Sequence, residues 1–160
     1  MSVLLAGLDA ADAAALVRRL LEQGDQVRAI VAPGADPAPY EGAHVAAGDP
    51  GDDDLVERAA QGARTIVLGD FGAAVRTAAL EGAARAGVER AVLLGEAPDV
   101  PLGMSWVALV TPRSRWRRRG PGPEDLAEAI DAADDLAGEP RLVADLGTEE
   151  GWRALRLEPR

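Results

Sequence analysis

The chain has 160 residues, a formal net charge of −10 at pH 7 and a hydrophobic content of 48%. Its length suits one domain, and its negative charge disfavours general binding to the phosphates of nucleic acid. Cysteine and lysine are both absent, which excludes disulfides, thiolate chemistry, Schiff bases and a phosphate-binding lysine. There is no apolar run of membrane-spanning length and no basic segment typical of a signal peptide, so the expectation is a cytoplasmic protein without membrane contact.

Short apolar runs typical of strands alternate with segments of helical periodicity. In chain order, the pattern predicts a strand over residues 2–6, a helix from Asp9 to Gly24, a strand over 27–32, a proline-rich loop, a strand over 43–47, a helix over 52–61, a strand over 64–68 and a helix over 73–86. It continues with strands over 88–94 and 105–110, a helix over 124–137, a strand over 141–146 and a short helix over 149–155. Strands separated by single helices predict one doubly wound parallel α/β sheet of six to seven strands with helices on both faces.

Ligands of such sheets bind at the carboxyl ends of the strands, where the strand order reverses beside the first strand. The residues predicted at that crevice are Gly7, Leu8, Asp9, Gly69, Asp70, Phe71, Gly95 and Glu96. Asp9, Asp70 and Glu96 could converge on a divalent cation, an amine or an arginine of a partner. Alternatively, they are three separate turn and helix-end acids in water, which is the interpretation we favour.

Five segments in order carry a resemblance to a known family. They are LVRRLL, VRAIVAPG, GDPGDDDLVERAAQGARTIVLG, AARAGVERAVLLGE and GPGPEDLAEAIDAADDLAG. Together they resemble the atypical short-chain dehydrogenase/reductase superfamily, in particular its NmrA-like and epimerase-like members. The resemblance covers nearly the whole chain and implies a single Rossmann-like NAD(P)-binding domain over residues 1–160.

The resemblance also implies a Gly-x-x-Gly-x-x-Gly turn for the cofactor diphosphate, and this chain departs from it. The three positions hold Gly7, Ala10 and Ala13, so a methyl group lies where the phosphate would rest. Asp9 is predicted to cap the following helix and thereby to fill the anion site with its own carboxylate. Asp49 matches a position that contacts adenine in relatives, or is a turn-forming aspartate.

The resemblance implies a Tyr-x-x-x-Lys pair on a helix after the fifth strand. Only the eight residues APDVPLGM separate that strand from the next, and the single tyrosine, Tyr40, lies in an early loop. The sequence therefore predicts no catalytic residue and no metal, and favours a degenerate, non-catalytic Rossmann-fold protein that binds, regulates or assembles without a cofactor. The alternative is an NAD(P)-dependent reductase or redox sensor of the NmrA-like type. Its candidate cofactor residues are Gly7, Leu8, Asp9, Asp49, Gly69, Asp70 and Gly95.

A basic loop over residues 112–123 contrasts with the acidic remainder of the chain. It contains Arg113, Arg115, Trp116, Arg117, Arg118 and Arg119. Guanidinium groups around an indole suit an acidic protein surface or phosphate, and the overall charge favours a protein partner or a second copy over nucleic acid. The alternative is a flexible loop that offsets the acidic charge of the chain.

Two other polar features are predicted to be structural. His44 has no fitting nucleophile near it in sequence, which favours a packed or surface histidine. The helix over 124–137 has a row of aspartate and glutamate residues that is interpreted as a solvated face.

Overall fold

A computed structural model describes residues 1–96, 99–111, 121–136 and 141–160. Within these ranges the strands are β1 (Ser2–Ala6), β2 (Gln26–Val31), β3 (His44–Ala47), β4 (Thr65–Leu68), β5 (Arg90–Leu94), β6 (Ser105–Val110) and β7 (Leu142–Asp145). The helices are α1 (Ala10–Glu22), α2 (Asp53–Ala60), α3 (Ala73–Arg85), α4 (Pro123–Leu136) and α5 (Glu149–Ala154), with a 3₁₀ turn over Ala38–Tyr40. Every predicted element is present, and the described boundaries differ from the predicted ones by one or two residues.

The strands form one parallel sheet in the order β3-β2-β1-β4-β5-β6-β7. Successive strands move outward from β1 to one edge, and the chain then returns to the other side of β1 through β4. The order therefore reverses between β1 and β4, which is where a doubly wound sheet opens a crevice for a ligand. The predicted doubly wound α/β fold is confirmed.

The sheet is buried on both faces, as an all-parallel sheet requires. On one face α1, α4 and α5 cover Leu5 and Val67, and on the other face α2 and α3 cover Leu4 and Ile66. Alternate residues of each strand point to opposite faces, so neighbours in sequence join different cores. Because both faces of the sheet are buried, β1 is one continuous apolar run. The predicted helices on both faces are confirmed.

The acidic residues of α4 are only partly a solvated face: Glu124 and Asp135 are exposed as predicted, whereas Asp131 and Asp134 bond to neighbouring elements. Asp134 is 7% exposed and accepts a 2.6 Å hydrogen bond from the hydroxyl of Thr65, and its other carboxylate oxygen pairs with Arg64. Asp131 accepts a 2.9 Å hydrogen bond from Nε of Arg19 on α1. Helix α4 packs against α1, β5 and β6, and its Asp134 bonds to Thr65 at the start of β4, which brings these arginines within reach of its carboxylates.

The predicted basic loop ends earlier than expected, because α4 begins at Pro123. Proline is favoured at the first helical position, where its missing N–H would have had no partner within the helix. The amide of Leu126 donates to the carbonyl of Gly122 at 2.9 Å, which closes the first turn.

Candidate functional site

The turns after β1 and β4 pack against each other through their backbones. The amide of Gly69 donates to the carbonyl of Ala6 at 2.8 Å. A Cβ atom on Gly69 would lie 1.7 Å from the carbonyl oxygen of Gly7, so only glycine fits at position 69. Gly7 itself is exposed and has a φ of +77°, a conformation that favours glycine. Both glycines are therefore explained by the close approach of two strands at the reversal point.

An aromatic ring covers the first of these turns. A Cβ atom on Gly7 would lie 2.2 Å from Cζ of Phe71, so the ring of this half-buried residue rests directly on the glycine. The Phe71 ring therefore occupies the space beside Gly7 that a side chain at this position would fill.

The amino end of α1 opens on the same crevice, and its predicted side-chain cap is absent. Asp9 occupies the predicted N-cap position with extended backbone, but its carboxylate makes no capping hydrogen bond, so the predicted side-chain cap is wrong. Like charge offers a physical reason, because a capping carboxylate would have to approach the amide of Asp12. Burial, and secondarily the negative charge of Asp9, raise the pKa of Asp12. The first-turn amides of α1 thus donate no hydrogen bond to the Asp9 carboxylate.

A buried arginine lies beside the end of β5. Arg76 is 3% exposed, and its Nη1 donates to the backbone carbonyl of Glu96. A Cβ atom on Gly95, which has a φ of +94°, would lie 3.7 Å from Arg76 Nη1 and 3.1 Å from a carboxylate oxygen of Asp70. Burial lowers the pKa of Arg76, and the negative charge of Glu96 opposes that shift. The ends of β4 and β5 therefore bring together Asp70, Gly95 and this guanidinium group.

Arg76 is absent from the sequence-based predictions, although the pattern of α3 contains a signal for it. The buried residues of α3 include Ala79, Leu80 and Ala83. Arg76 precedes them by three, four and seven residues, so it occupies the apolar face of an amphipathic helix. A lone charged residue in an apolar stripe indicates either a buried ion pair or a ligand contact.

The predicted acidic cluster does not form among the described residues. Carboxylates that approach one another within 4.8 Å there belong to Asp52, Asp53 and Asp54, in the first turn of α2, and not to Asp9, Asp70 and Glu96.

Asp49 and Leu8, two candidate cofactor residues, have structural contacts. A carboxylate oxygen of Asp49 accepts from the amide of Gly51 at 2.7 Å, which is the predicted turn-forming role. Its proposed contact with adenine is not tested by this bond. Leu8 is half-buried and packs against the core beneath α1.

The histidine and the tyrosine lie outside the crevice. His44 is exposed on edge strand β3, in agreement with a surface histidine, and it lines a cavity of about 260 Å³ together with Arg28 and Arg58. Tyr40 is buried in the 3₁₀ turn and packs in the core beneath α1, where burial raises its pKa.

The predicted partner-binding residues lie outside the described residues. They are Arg113, Arg115, Trp116, Arg117, Arg118 and Arg119. In the described part of the chain, each helix is too short or too polar to span a lipid bilayer.

Comparison with known proteins identifies the fold. No family model and no curated protein matches the chain. Among solved structures, it is similar to ChuY, an anaerobillin reductase from Escherichia coli O157:H7, with a TM-score of 0.67, 16% identity and coverage of 91% of this chain and 96% of that chain. It is also similar to UDP-glucose 4-epimerase from Brucella ovis in complex with NAD, with a TM-score of 0.71, 11% identity and coverage of 90% and 76%.

A third similar structure is the enzyme WbmH of Bordetella bronchiseptica in complex with NAD+, with a TM-score of 0.64, 15% identity and coverage of 90% and 74%. At these identities the likeness concerns the fold. The chain therefore shares the Rossmann-like fold of these solved structures, which is the fold that its resemblance to atypical short-chain dehydrogenases/reductases implied.

Proposed function

We propose that this chain binds NAD(P) in the crevice between β1, β4 and β5 and acts as a reductase of the atypical short-chain type. The observation that carries the proposal is the open amino end of α1, which follows a glycine turn at the strand-order reversal and has no side-chain cap from Asp9. Helix amides in that position favour a diphosphate. The sequence-based expectation that no cofactor binds depended on a capping bond from Asp9, on the alanines at the second and third glycine positions and on the missing Tyr-Lys pair. The capping bond is absent from the structure, and this proposal replaces that expectation.

The amides of α1 would hold the diphosphate of a dinucleotide, but several features oppose its binding. The Phe71 ring rests on Gly7, and the methyl group of Ala10 replaces the second glycine of the turn. The negative charges of Asp9 and Asp12 oppose this binding, because both residues belong to the same helix end. When bound, the nicotinamide ring supplies a hydride. The chain has no lysine and its only tyrosine is buried in the core beneath α1, so the accompanying proton would come from water or another acid.

Calorimetric titration with NAD, NADH, NADP and NADPH tests the proposal, and micromolar binding of at least one of them is expected. Ala10→Glu places a further negative charge in the first turn of α1 and should abolish binding without unfolding the helix. Ala14→Glu is the matched control, because Ala14 is also exposed and lies one turn further along α1. No detectable binding by the wild type at millimolar dinucleotide would overturn the proposal.

Catalysis requires a separate measurement. A reductase oxidises the bound NAD(P)H in the presence of a substrate, which is followed by the loss of nicotinamide absorbance. Screening carbonyl compounds with Ala10→Glu as the inactive control tests this step. Dinucleotide binding without turnover would instead support the NAD(P)-redox sensor.

A second candidate is a non-catalytic cytoplasmic binding or assembly subunit that contacts a protein partner or a second copy. The missing Tyr-Lys pair and the arginines of the segment 112–120 favour it. Size-exclusion chromatography and a pull-down, each with wild type and an Arg117→Ala/Arg118→Ala/Arg119→Ala variant, test it. An unchanged oligomeric state and an unchanged set of recovered proteins would refute the role of the arginines.

A further inference from the structure

Two nitrogens of the Arg76 guanidinium group are buried without a hydrogen-bond partner within the described ranges of the chain. The side chain is 3% exposed, and Nη1 donates to the carbonyl of Glu96. Nε and Nη2 are buried and have no hydrogen-bond partner in the described structure. The arginine is thus anchored at one nitrogen and leaves the other two donors unsatisfied.

Such a group is unfavourable in a protein without a ligand. A buried charge is normally paired, and each buried donor normally has an acceptor. None of the ion pairs in the described part of the chain involves Arg76. An apolar residue would fill the same position on the apolar face of α3 without these costs, so the arginine calls for an explanation beyond packing.

The identity of the two unpaired atoms indicates the chemistry of the missing partner. Nε and Nη2 lie on one edge of the planar guanidinium group, and that edge donates two parallel hydrogen bonds to a carboxylate or a phosphate. Arg76 also belongs to the first turn of α3, a helix of 13 residues whose N-cap, Gly72, offers no side-chain acceptor. The helix dipole favours an anion near this helix end, whereas the negative charges of Asp70 and Glu96 close to Arg76 oppose it.

The position of Arg76 separates it from the predicted diphosphate site. The amino end of α1 follows β1, whereas Arg76 contacts the residue that follows β5 and lies beside Gly95. In a doubly wound sheet a dinucleotide would lie across the reversal point, so Arg76, beside β5, would lie to one side of a diphosphate held at α1.

We propose that Arg76 binds, through Nε and Nη2, the carboxylate or phosphate group of an anionic substrate at the ends of β4 and β5. The substrate assignment rests on the proposed NAD(P) function, but the anion site itself requires no dinucleotide. The two can therefore fail independently.

Thermal unfolding of the full chain, without dinucleotide, tests the anion site. Inorganic phosphate and acetate are compared with chloride at equal ionic strength, so that general screening cancels. Phosphate or acetate should raise the unfolding midpoint of the wild type in proportion to the logarithm of anion concentration. Arg76→Gln should abolish the shift, and Arg76→Lys should weaken anion affinity by at least about ten-fold because lysine lacks the two-donor edge.

Arg85→Gln is the matched control on the same helix. Arg85 is exposed and pairs with Asp53, Asp54 and Glu57 of α2, so its loss should leave the anion response unchanged. An equal loss of response in Arg85→Gln and Arg76→Gln would overturn the proposal, because it would indicate a general charge effect. No wild-type response to either anion would also overturn it.

Two further measurements separate a ligand contact from a structural arginine. Arg76→Met should raise the urea midpoint while it removes the anion response, because it replaces an unsatisfied buried charge by an apolar side chain. A lowered urea midpoint would indicate that Arg76 stabilises the fold through its hydrogen bond to the Glu96 carbonyl, and it would overturn the proposal. The dinucleotide affinity of Arg76→Gln should differ from that of the wild type by less than about two-fold. If Arg76→Gln lost dinucleotide affinity but kept the rise of its unfolding midpoint with phosphate, the substrate assignment would be overturned.

Discussion

Gly69→Ala is the substitution that most directly tests the crevice. The new Cβ atom would lie 1.7 Å from the backbone carbonyl oxygen of Gly7, whereas a close carbon–oxygen contact in proteins is about 3.3 Å. The turns after β1 and β4 would therefore have to separate by about 1.6 Å. Neither atom belongs to a flexible side chain, so the backbone itself must move.

The cost of that movement has two parts. Overpacking against a backbone typically costs about 1–3 kcal/mol. Separation of the turns also weakens the 2.8 Å hydrogen bond from the Gly69 amide to the Ala6 carbonyl, worth about 1 kcal/mol. The expected loss in the free energy of unfolding is about 3 kcal/mol, or a fall of about 6–12 °C in the thermal midpoint.

Urea unfolding measures this loss, and Gly62→Ala is the control. Gly62 has a φ of +75° with no atom within 4 Å of the added Cβ, so it reports the conformational cost alone, about 1 kcal/mol. Gly69→Ala should be clearly less stable than Gly62→Ala, with an unchanged m value. Equal stability of the two variants would show that the two turns do not touch, and the geometry argued for the crevice would be wrong.

Three further predictions concern charge. Asp134→Ala leaves the hydroxyl of Thr65, which is 0% exposed, without its acceptor. Urea unfolding should show a free energy of unfolding that is lower by about 3 kcal/mol. The exposed control Asp135→Ala should change the free energy of unfolding by less than about 0.5 kcal/mol. Asp9→Asn removes a negative charge about 5 Å from a diphosphate at α1, and the repulsion between the two charges is worth about 0.8 kcal/mol in water. Calorimetry should therefore show dinucleotide binding that is about four-fold tighter. Weaker binding would contradict a diphosphate site at α1. The pKa of Asp12 is raised above 3.8, so its protonation favours the folded state at acidic pH. This contribution to stability is lost as pH rises through the raised pKa. Asp9→Asn should lower the pKa of Asp12 in a carboxyl NMR titration, and an unchanged pKa would refute the coupling between the two residues.

Local pattern was sufficient to predict the elements and the sheet. The run Ser2–Ala6 is buried throughout, as its apolar residues indicated, and the alternation of strands with helices left a doubly wound parallel sheet as the expected arrangement. The crevice could be placed from the same reasoning, because the carboxyl ends of parallel strands share one edge. The predicted residues Gly7 and Gly69 do meet there.

The predictions that failed concern contacts of charged side chains. Asp9 has the residue type and position of a helix cap, yet its carboxylate does not make the bond. Asp134 looked like one more solvated acid of α4, yet it is buried against Thr65 and Arg64. Residue type and helical spacing do not specify which partner lies across the interface.

The sequence by itself determined the alternation of elements, and hence the Rossmann-like sheet and the edge at which a ligand would bind, because hydrophobic periodicity and handedness act locally along the chain. Only the tertiary structure decided which polar groups are satisfied there. It left the amino end of α1 without its expected cap and buried Arg76 with two donors unpaired. Such contacts join residues from separate strands and helices, so they exist only once the sheet has formed.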